Sequence, residues 1–487
     1  MAEVRAALAE ALLARQRVLG TGPRAEAHAR AIGAGAAVVV AGQQPGLLGG
    51  PLLSLHKAAG AIAEARRRSD AEGRVVVPVF WVASEDHDWG EVNGATVFDA
   101  QGSLRDLALD VRGDLRSVAD VPVPRESTDR LLRDLTGMLP STDRAKAAID
   151  LARPPGDGPT DMGTWFGTIL ARLLGDAGLV IVEPHVVAPW AGEALARLVH
   201  DAERIGDALR AEGARRRAAR VLAPLDPPAG QAPLFLRDAP GGPRRRVRLD
   251  GDDVYLREQR AGTSRSALEA LLRREPHLAS GDVAGRVFVQ NLVLPVVAIL
   301  AGPTEAAYLA QVAAAHLALG LPFPQVLPRP QATWVEAKVR EALVGNGLSV
   351  EDAIAGTAKA GATKAADDPL TRDAEEILRR VRDLQARAFE SRTAAGEPAP
   401  LPLERGLPAV EAELRRAIDR QHEEREARAG RGRARVERAL VALRPKGQPQ
   451  ERVLSPLSLV ARHGVEALRS GLSRLAPGTP PATLDLG

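Results

Sequence analysis

A chain of 487 residues without a cysteine can hold neither a disulfide nor a thiolate-bound zinc ion. Its 65 basic and 62 acidic residues nearly cancel, leaving +3, which gives little footing for a nucleic-acid partner. The longest apolar stretch, 287–302, is interrupted by Gln290, Asn291 and Pro295, and residues 1–20 lack the apolar centre of a signal peptide, so a soluble cytoplasmic protein without membrane contact is expected.

Residues 1–31 read as one or two short helices. An apolar run at 36–41 predicts a strand that empties into a glycine-rich loop, followed by a helix over about 51–68. A second buried run, 75–83, ends at Glu85-Asp86-His87-Asp88. Residues 95–124 read as short strands and turns, 128–139 and 161–176 as helices, and 179–183 as a buried strand. One long helix is expected over 191–220. Strand segments follow, with a hairpin turn at Asp250-Gly251, then a helix at 266–274. The stretch 286–300 is apolar with a strand-like second half. A helix is expected over 305–319, with Thr304 as its candidate N-cap, and a strand at 323–327.

Strands alternating with helices argue for an α/β fold with a parallel sheet covered on both faces. The tail differs. Helical spacing of Ile377, Val381, Leu384 and Ala388, a Pro/Gly-rich break at 394–408 and a second helix over 410–443 predict an antiparallel helical hairpin. A last helix is expected over 457–475, before a proline-rich end.

Several polar groups stand where apolar strands stop. Gly49 and Gly50 would let backbone N–H groups approach a phosphate or carboxylate, or would simply make a tight turn. Gln43 and Gln44 would be costly if buried unpaired, so they are expected to bind something. Lys57 could neutralise a phosphate and His56 move a proton. The bland reading of that pair is a solvated Lys beside a hydrogen-bonded core His. Glu85, Asp86, His87 and Asp88, just after Trp81, could hold a substrate ammonium, bind a divalent metal, or deprotonate an amine. Glu305, Tyr308 and Gln311 recur every three residues and, with Arg286, Gln290 and Gly302, could form a third wall of one cleft. The arginine runs at 214–217, 244–248 and 431–438 read as solvated faces.

Segments 41–58, 78–93, 161–184, 231–238, 286–311, 327–330 and 445–453, taken together and in this order, resemble the bacillithiol biosynthesis cysteine-adding enzymes, the BshC cysteine ligases. The resemblance implies a Rossmann-like core related to class I aminoacyl-tRNA synthetases over 1–366, with connecting-peptide-like insertions at about 95–160 and 191–275. It also implies a coiled-coil hairpin at 367–444 that makes a homodimer, and a segment at 445–487 returning to the core. This chain departs from the family pattern at Ala41, Leu53 and Gly94, and ahead of the first strand.

The implied activity joins L-cysteine to the amine of glucosaminyl-malate, the last step of bacillithiol synthesis. A carboxylate needs activation to acylate an amine, so ATP with Mg²⁺ is expected. Its phosphates would lie near Gly49, Gly50, His56 and Lys57, or else near Gln450-Glu451-Arg452. Glu85, Asp86 and Asp88 would receive the cysteine ammonium or the attacking amine, and His87 or one of the acids would take its proton. Arg286 and Arg329 would grip the malate carboxylates. Trp81 and Asn93 belong to the second matching segment. No resident metal is predicted, although a zinc site of His, Asp and Glu stays open. Two other readings use the same residues: a metal-dependent nucleotidyltransferase or hydrolase, and a non-enzymatic coiled-coil or RNA-binding synthetase relative.

Overall fold

The computed structural model describes residues 2–256, 259–358, 369–395 and 402–486. They form two compact units, one of 1–335 with 448–487 and one of 336–447.

In the first unit the strands that matter here are β1 (Ala37–Gln43), β2 (Val76–Val82), β3 (Val180–Val182), β4 (Gln231–Leu236), β5 (Arg245–Asp250), β6 (Val296–Ala301) and β7 (Gln325–Pro328). Five of them pair in parallel, in the spatial order β7-β6-β1-β2-β3. The chain therefore steps outward from β1 to β3, then returns to the other side of β1 with β6. That reversal is the topological switch of a doubly wound sheet, and ligands bind in the crevice beyond the strand ends there.

Every residue of β2 is buried, as a central parallel strand requires. Pro78 is tolerated inside it for a geometric reason. Ala83 N–H donates to Gln43 O, so by alternation the Pro78 nitrogen points away from β1. On that other side pairing with β3 begins only at Val79.

Three helices shape the crevice: α1 (Leu53–Glu72), α2 (Val283–Val293) and α3 (Pro303–Ala318). The sequence placed α1 two residues too early, because Gly49 and Gly50 (φ 85° and 66°) must first turn the chain. The apolar stretch 286–300 divides at Pro295. Its first part is α2, N-capped by Asp282, whose Oδ1 accepts from Ala284 N and Gly285 N at 3.0 Å each. The N-cap of α3 is Gly302, not Thr304. Pro303 takes the first helical position, and Glu305 Oε2 accepts the Gly302 N–H at 2.7 Å.

A second, antiparallel sheet contains β4 and β5, flanked by Ala279–Gly281 on one side and by Asp253–Leu256 and Gln259–Ser264 on the other. Gly251 (φ 59°) makes its hairpin turn. Leu234, Val247 and Leu249 from this sheet share one apolar core with Phe288 of α2 and Val312 of α3. That core fixes the second sheet beside the crevice. The long helix expected over 191–220 is two, Gly192–His200 and Ala202–Ala218, parted at Asp201. The helix expected over 457–475 is likewise split, at Gly464 (φ 88°), and the proline-rich end carries a strand, Ala482–Leu486, paired with Ala332–Glu336.

In the second unit, helices Pro369–Ala394 and Pro402–Leu443 pack side by side, with Arg382 Nε 2.9 Å from Glu411 Oε1. The later helix starts ahead of the predicted 410 and runs through Pro408. Residues 396–401 of the predicted break lie outside the described residues.

Candidate active site

A cavity of about 230 Å³ lies beyond the ends of β1 and β6, at the switch point. Its floor is Val40, Ile299 and Leu300, and its polar walls are Gln43, Gln44, Asp86, Glu91, Arg286, Gln290, Glu305 and Tyr308, with Gly42 and Trp81 beside them. A larger cavity of about 440 Å³ shares Asp86, Val283 and Arg286 with it and adds Glu85, His87, Phe235, Arg244, Arg246 and Asp282.

Lys57, on α1, is buried and its ammonium is saturated. It donates to Gly42 O (2.8 Å), Gln43 Oε1 (2.8 Å) and Glu305 Oε1 (2.7 Å). Burial lowers its pKa, and the Glu305 carboxylate works against that shift. It ties the end of β1 to the start of α3 and so holds the two sides of the crevice together. The phosphate-neutralising role expected for it is filled by these protein groups.

The acidic loop sends its four side chains to different places. Glu85 is buried, and desolvation pushes its carboxyl up while Arg286 and Arg244 pull it down. Asp86 accepts from Gln44 Nε2 at 2.8 Å and from His87 N at 2.7 Å. Burial alone would raise the Asp86 pKa, but those bonds and the charges of Arg244 and Arg286 hold it below the ordinary carboxylate range. His87 Nδ1 lies 3.1 Å from Arg244 Nη1. Guanidinium only donates, so Nδ1 accepts and neutral His87 carries its proton on Nε2. Asp88 turns out to solvent and caps the short helix Trp89–Val92. Asn93 ends that helix and lines neither cavity. Among the described residues no three His, Asp or Glu side chains converge as a metal cage.

Arg286, from the first turn of α2, lines both cavities. Burial works against its charge, yet Tyr308, Glu85, Asp86 and Glu305 hold its pKa above the ordinary value. Burial raises the Tyr308 phenol, which therefore stays protonated beside it.

Three expected site residues belong to the interior instead. His56 is fully buried. Trp334 Nε1–H donates to its Nε2 at 3.1 Å, so Nδ1 carries the proton and donates to Glu451 Oε2 at 2.9 Å. Arg329 spends its guanidinium on Glu451 Oε1 at 2.6 Å and on Pro330 O at 3.1 Å. Gln311 is fully buried and bonds Leu209 O and Leu225 O, while its own Oε1 accepts from Leu225 N. The three-residue recurrence therefore put Glu305 and Tyr308 in the cleft but carried Gln311 past its edge.

The expected phosphate cradle is also filled. A Cβ on Gly49 would lie 3.0 Å from Pro456 and 3.2 Å from Ile169, and one on Gly50 3.4 Å from Phe166. Both glycines are buried against side chains rather than open to a ligand. The second expected nucleotide position fares no better, since Gln450 holds the Trp334 backbone (2.9 and 3.0 Å) and Glu451 holds Arg329 and His56. The residues at these two places do not fit a bound triphosphate.

The residue that sequence reasoning most clearly missed is Arg244. Its run, 244–248, reads as a solvated face, but Arg244 is buried, donating to Ser280 Oγ (3.0 Å) and Gly281 O (3.2 Å) and stacking on Phe235 at 4.1 Å. Arg246 covers the same ring at 4.7 Å. The available signal was period two: Arg244 and Arg246 alternate with Arg245 at the start of β5.

Residues 1–330 match the family model for bacillithiol biosynthesis BshC, N-terminal Rossmann-like domain. The chain is 32% identical to a protein of Symbiobacterium thermophilum, with 96% of this chain and 86% of that one covered. It is 30% identical to a Geobacillus thermodenitrificans protein (88% and 80% covered) and 29% identical to one from Koribacter versatilis (95% and 86%). All three relatives bear the name "Putative cysteine ligase BshC".

Proposed function

The chain belongs to the BshC family, and from that premise we propose that it is a carbon–nitrogen ligase joining the carboxylate of L-cysteine to the amine of glucosaminyl-malate, the last step of bacillithiol synthesis. The observation that carries this reading is the charge pattern at the switch point. An ionised Asp86 lines both cavities with Arg286, and in the larger one Arg244 and Arg246 add two more guanidinium groups to a wall that also carries Glu85, Asp226 and Asp282.

In this reading the guanidinium wall of the larger cavity receives the malate carboxylates. Arg244 and Arg246 take the place first expected for Arg329. Asp86 accepts a hydrogen bond from the attacking amine, aims its lone pair, and stabilises the positive charge that grows on nitrogen as the C–N bond forms. The C–O bond of the activated cysteine carboxyl breaks, its leaving group departs with the electron pair, and the proton lost from nitrogen passes by way of Asp86 to solvent. His87, its Nδ1 lone pair spent on Arg244, orients that arginine rather than taking the proton. The enzyme works in the cytoplasm as a homodimer held by helices 369–394 and 402–443. Exposed Ile377, Phe389 and Val410 support that interface.

The test is a condensation assay with glucosaminyl-malate, L-cysteine and Mg-ATP, each omitted in turn, with product followed by mass. Product should require both L-cysteine and the acceptor, and the ATP omission reads directly whether activation uses a nucleotide. Arg244→Gln should raise KM for the acceptor about tenfold or more, the worth of a charged hydrogen bond. Asp86→Asn should lower kcat by about 10²-fold or more. Folded wild-type protein that condenses nothing under these conditions would overturn the reading.

A further inference from the structure

A third cavity, of about 180 Å³, lies on the far face of the acidic loop, and the proposed chemistry leaves it unused. It shares Glu85, Gly281 and Arg286 with the larger cavity. Three buried polar atoms on its lining side chains have neither a hydrogen bond nor an ion pair, Glu85 Oε2, Trp81 Nε1 and Arg237 Nε, and a fourth, Asp120 Oδ2, has only its ion pair with Arg237. Trp81 and Glu85 are 2% and 7% exposed. Each unpaired buried group costs about 1–3 kcal/mol, so three around one cavity mark a place built for something else. Arg237 is fixed there through its other nitrogens, by Asp120 Oδ2 at 3.0 Å and by the Ser117 hydroxyl.

The open groups specify a ligand. Glu85 offers an anionic acceptor, and Trp81 and Arg237 offer donors. Their complement is one cationic donor and one anionic acceptor on a small body. Ala188, Ala191, Leu195 and Val289 give the wall an apolar part, beside His185, His277 and Ser280. The volume lies below the roughly 300–1,000 Å³ of pockets for drug-sized ligands. We propose that this cavity is the subsite for a free zwitterionic α-amino acid with a small side chain, its ammonium on Glu85 and its carboxylate on Trp81 Nε1–H and Arg237 Nε–H.

This assignment rests on the cysteine-ligase reading and deepens it. The amino acid lies on one side of the Glu85–Arg286 wall and the acceptor on the other, so the two reactants approach across residues common to both cavities. An incoming ammonium also adds to the charges of Arg286 and Arg244, which only partly offset the burial of Glu85.

The experiment is calorimetric titration of the whole chain with L-cysteine, L-alanine, L-serine and L-leucine, alongside KM values for cysteine and acceptor. The variants are Trp81→Phe, Glu85→Gln and Ala188→Leu, the last narrowing the cavity from a partly buried position in the short turn Ala188–Trp190. The wild type should bind cysteine and reject leucine. Each variant should weaken cysteine binding about tenfold or more, and Ala188→Leu should leave the acceptor KM unchanged. Cysteine binding should also weaken as pH falls through a range above that of ordinary carboxylates, as Glu85 becomes protonated. If condensation proceeds and all three variants keep the wild-type cysteine KM, the cavity assignment is wrong and the ligase reading stands. If wild-type protein makes no product but binds another small amino acid that the variants lose, the ligase reading is wrong and the cavity stands.

Discussion

His56, Arg329 and Glu451 show how far a residue's neighbourhood in sequence can mislead. His56 and Glu451 are 395 residues apart, yet their side chains meet at 2.9 Å in the interior. Burial would raise Glu451, but His56 and Arg329 hold it at about 2 against an ordinary 4.5. Burial lowers His56 despite that carboxylate, so the imidazole is neutral and the ion pair is Glu451 with Arg329. A folded-state pKa below the unfolded one contributes stability above the unfolded value, lost as pH falls through the folded value. The contribution is about 3 kcal/mol at neutral pH, at about 1.4 kcal/mol per unit. Urea unfolding from pH 7 to pH 2.5 should therefore show wild-type stability falling faster below pH 4.5 than that of Glu451→Gln. At pH 7 that variant should be less stable by about 3–5 kcal/mol, because Arg329 is left buried and unpaired. Equal slopes for the two proteins would remove this account. Gln44, Asp86, Arg286, Glu305 and Tyr308 were legible as cleft residues because each stands just beyond an apolar strand or in the first turns of a helix beside one. His56 and Arg329 looked alike in sequence, and only their distant partner distinguishes them.

Elements were legible where one period dominated and illegible where two agreed. β1 and β2 are short apolar runs bounded by glycine and acids, and they sit within two residues of their predicted ends. A continuous apolar stretch such as 286–300 reads equally as buried helix or buried strand until Pro295 divides it. Which part is helix matters, because α2 carries Arg286. Its placement depends on close contact with β4: a Cβ on Gly285 would lie 1.9 Å from Pro233 O, a backbone atom that cannot swing aside. Gly285→Ala should cost stability at or beyond the upper end of the ~1–3 kcal/mol typical of overpacked cores, and should lower kcat/KM by moving Arg286. Gly137→Ala is its control. That glycine ends a helix with nothing within 4 Å of an added Cβ, so alanine there should be neutral or stabilise by up to about 1 kcal/mol. Chemical denaturation of the pair would decide. A Gly285→Ala protein as stable as its control would mean the α2–β4 contact is not what sets the helix.

At the scale of the molecule, the sheet unit is discontinuous in sequence. Leu454 O accepts from Leu52 N at 2.8 Å, Ser455 Oγ donates to Leu48 O at 2.8 Å, and Ser458 Oγ accepts from Phe98 N at 3.0 Å. The last forty residues thus hold the glycine-rich turn and the hairpin formed by Gly94–Phe98 and Leu104–Ala108, although the family model spans only 1–330. The ends of the intervening 336–447 segment are already joined within this unit, since Gln450 bonds both Trp334 N and Trp334 O. Two shortened proteins test this arrangement in opposite directions. A 1–335 fragment should not unfold cooperatively, because Glu451 and the buried side chains Leu454, Leu457 and Val460 are missing from its core. Replacing 336–447 by a short Gly/Ser linker should leave a cooperative transition and an intact crevice. The excised protein should also sediment as a monomer if the helical hairpin makes the proposed dimer. Circular dichroism in urea, analytical ultracentrifugation and the condensation assay on the same two proteins separate these claims. A cooperative 1–335 fragment would show that the C-terminal return is dispensable. A monomeric, folded excision protein that still condenses cysteine with the acceptor would show that the chemistry belongs to the sheet unit alone.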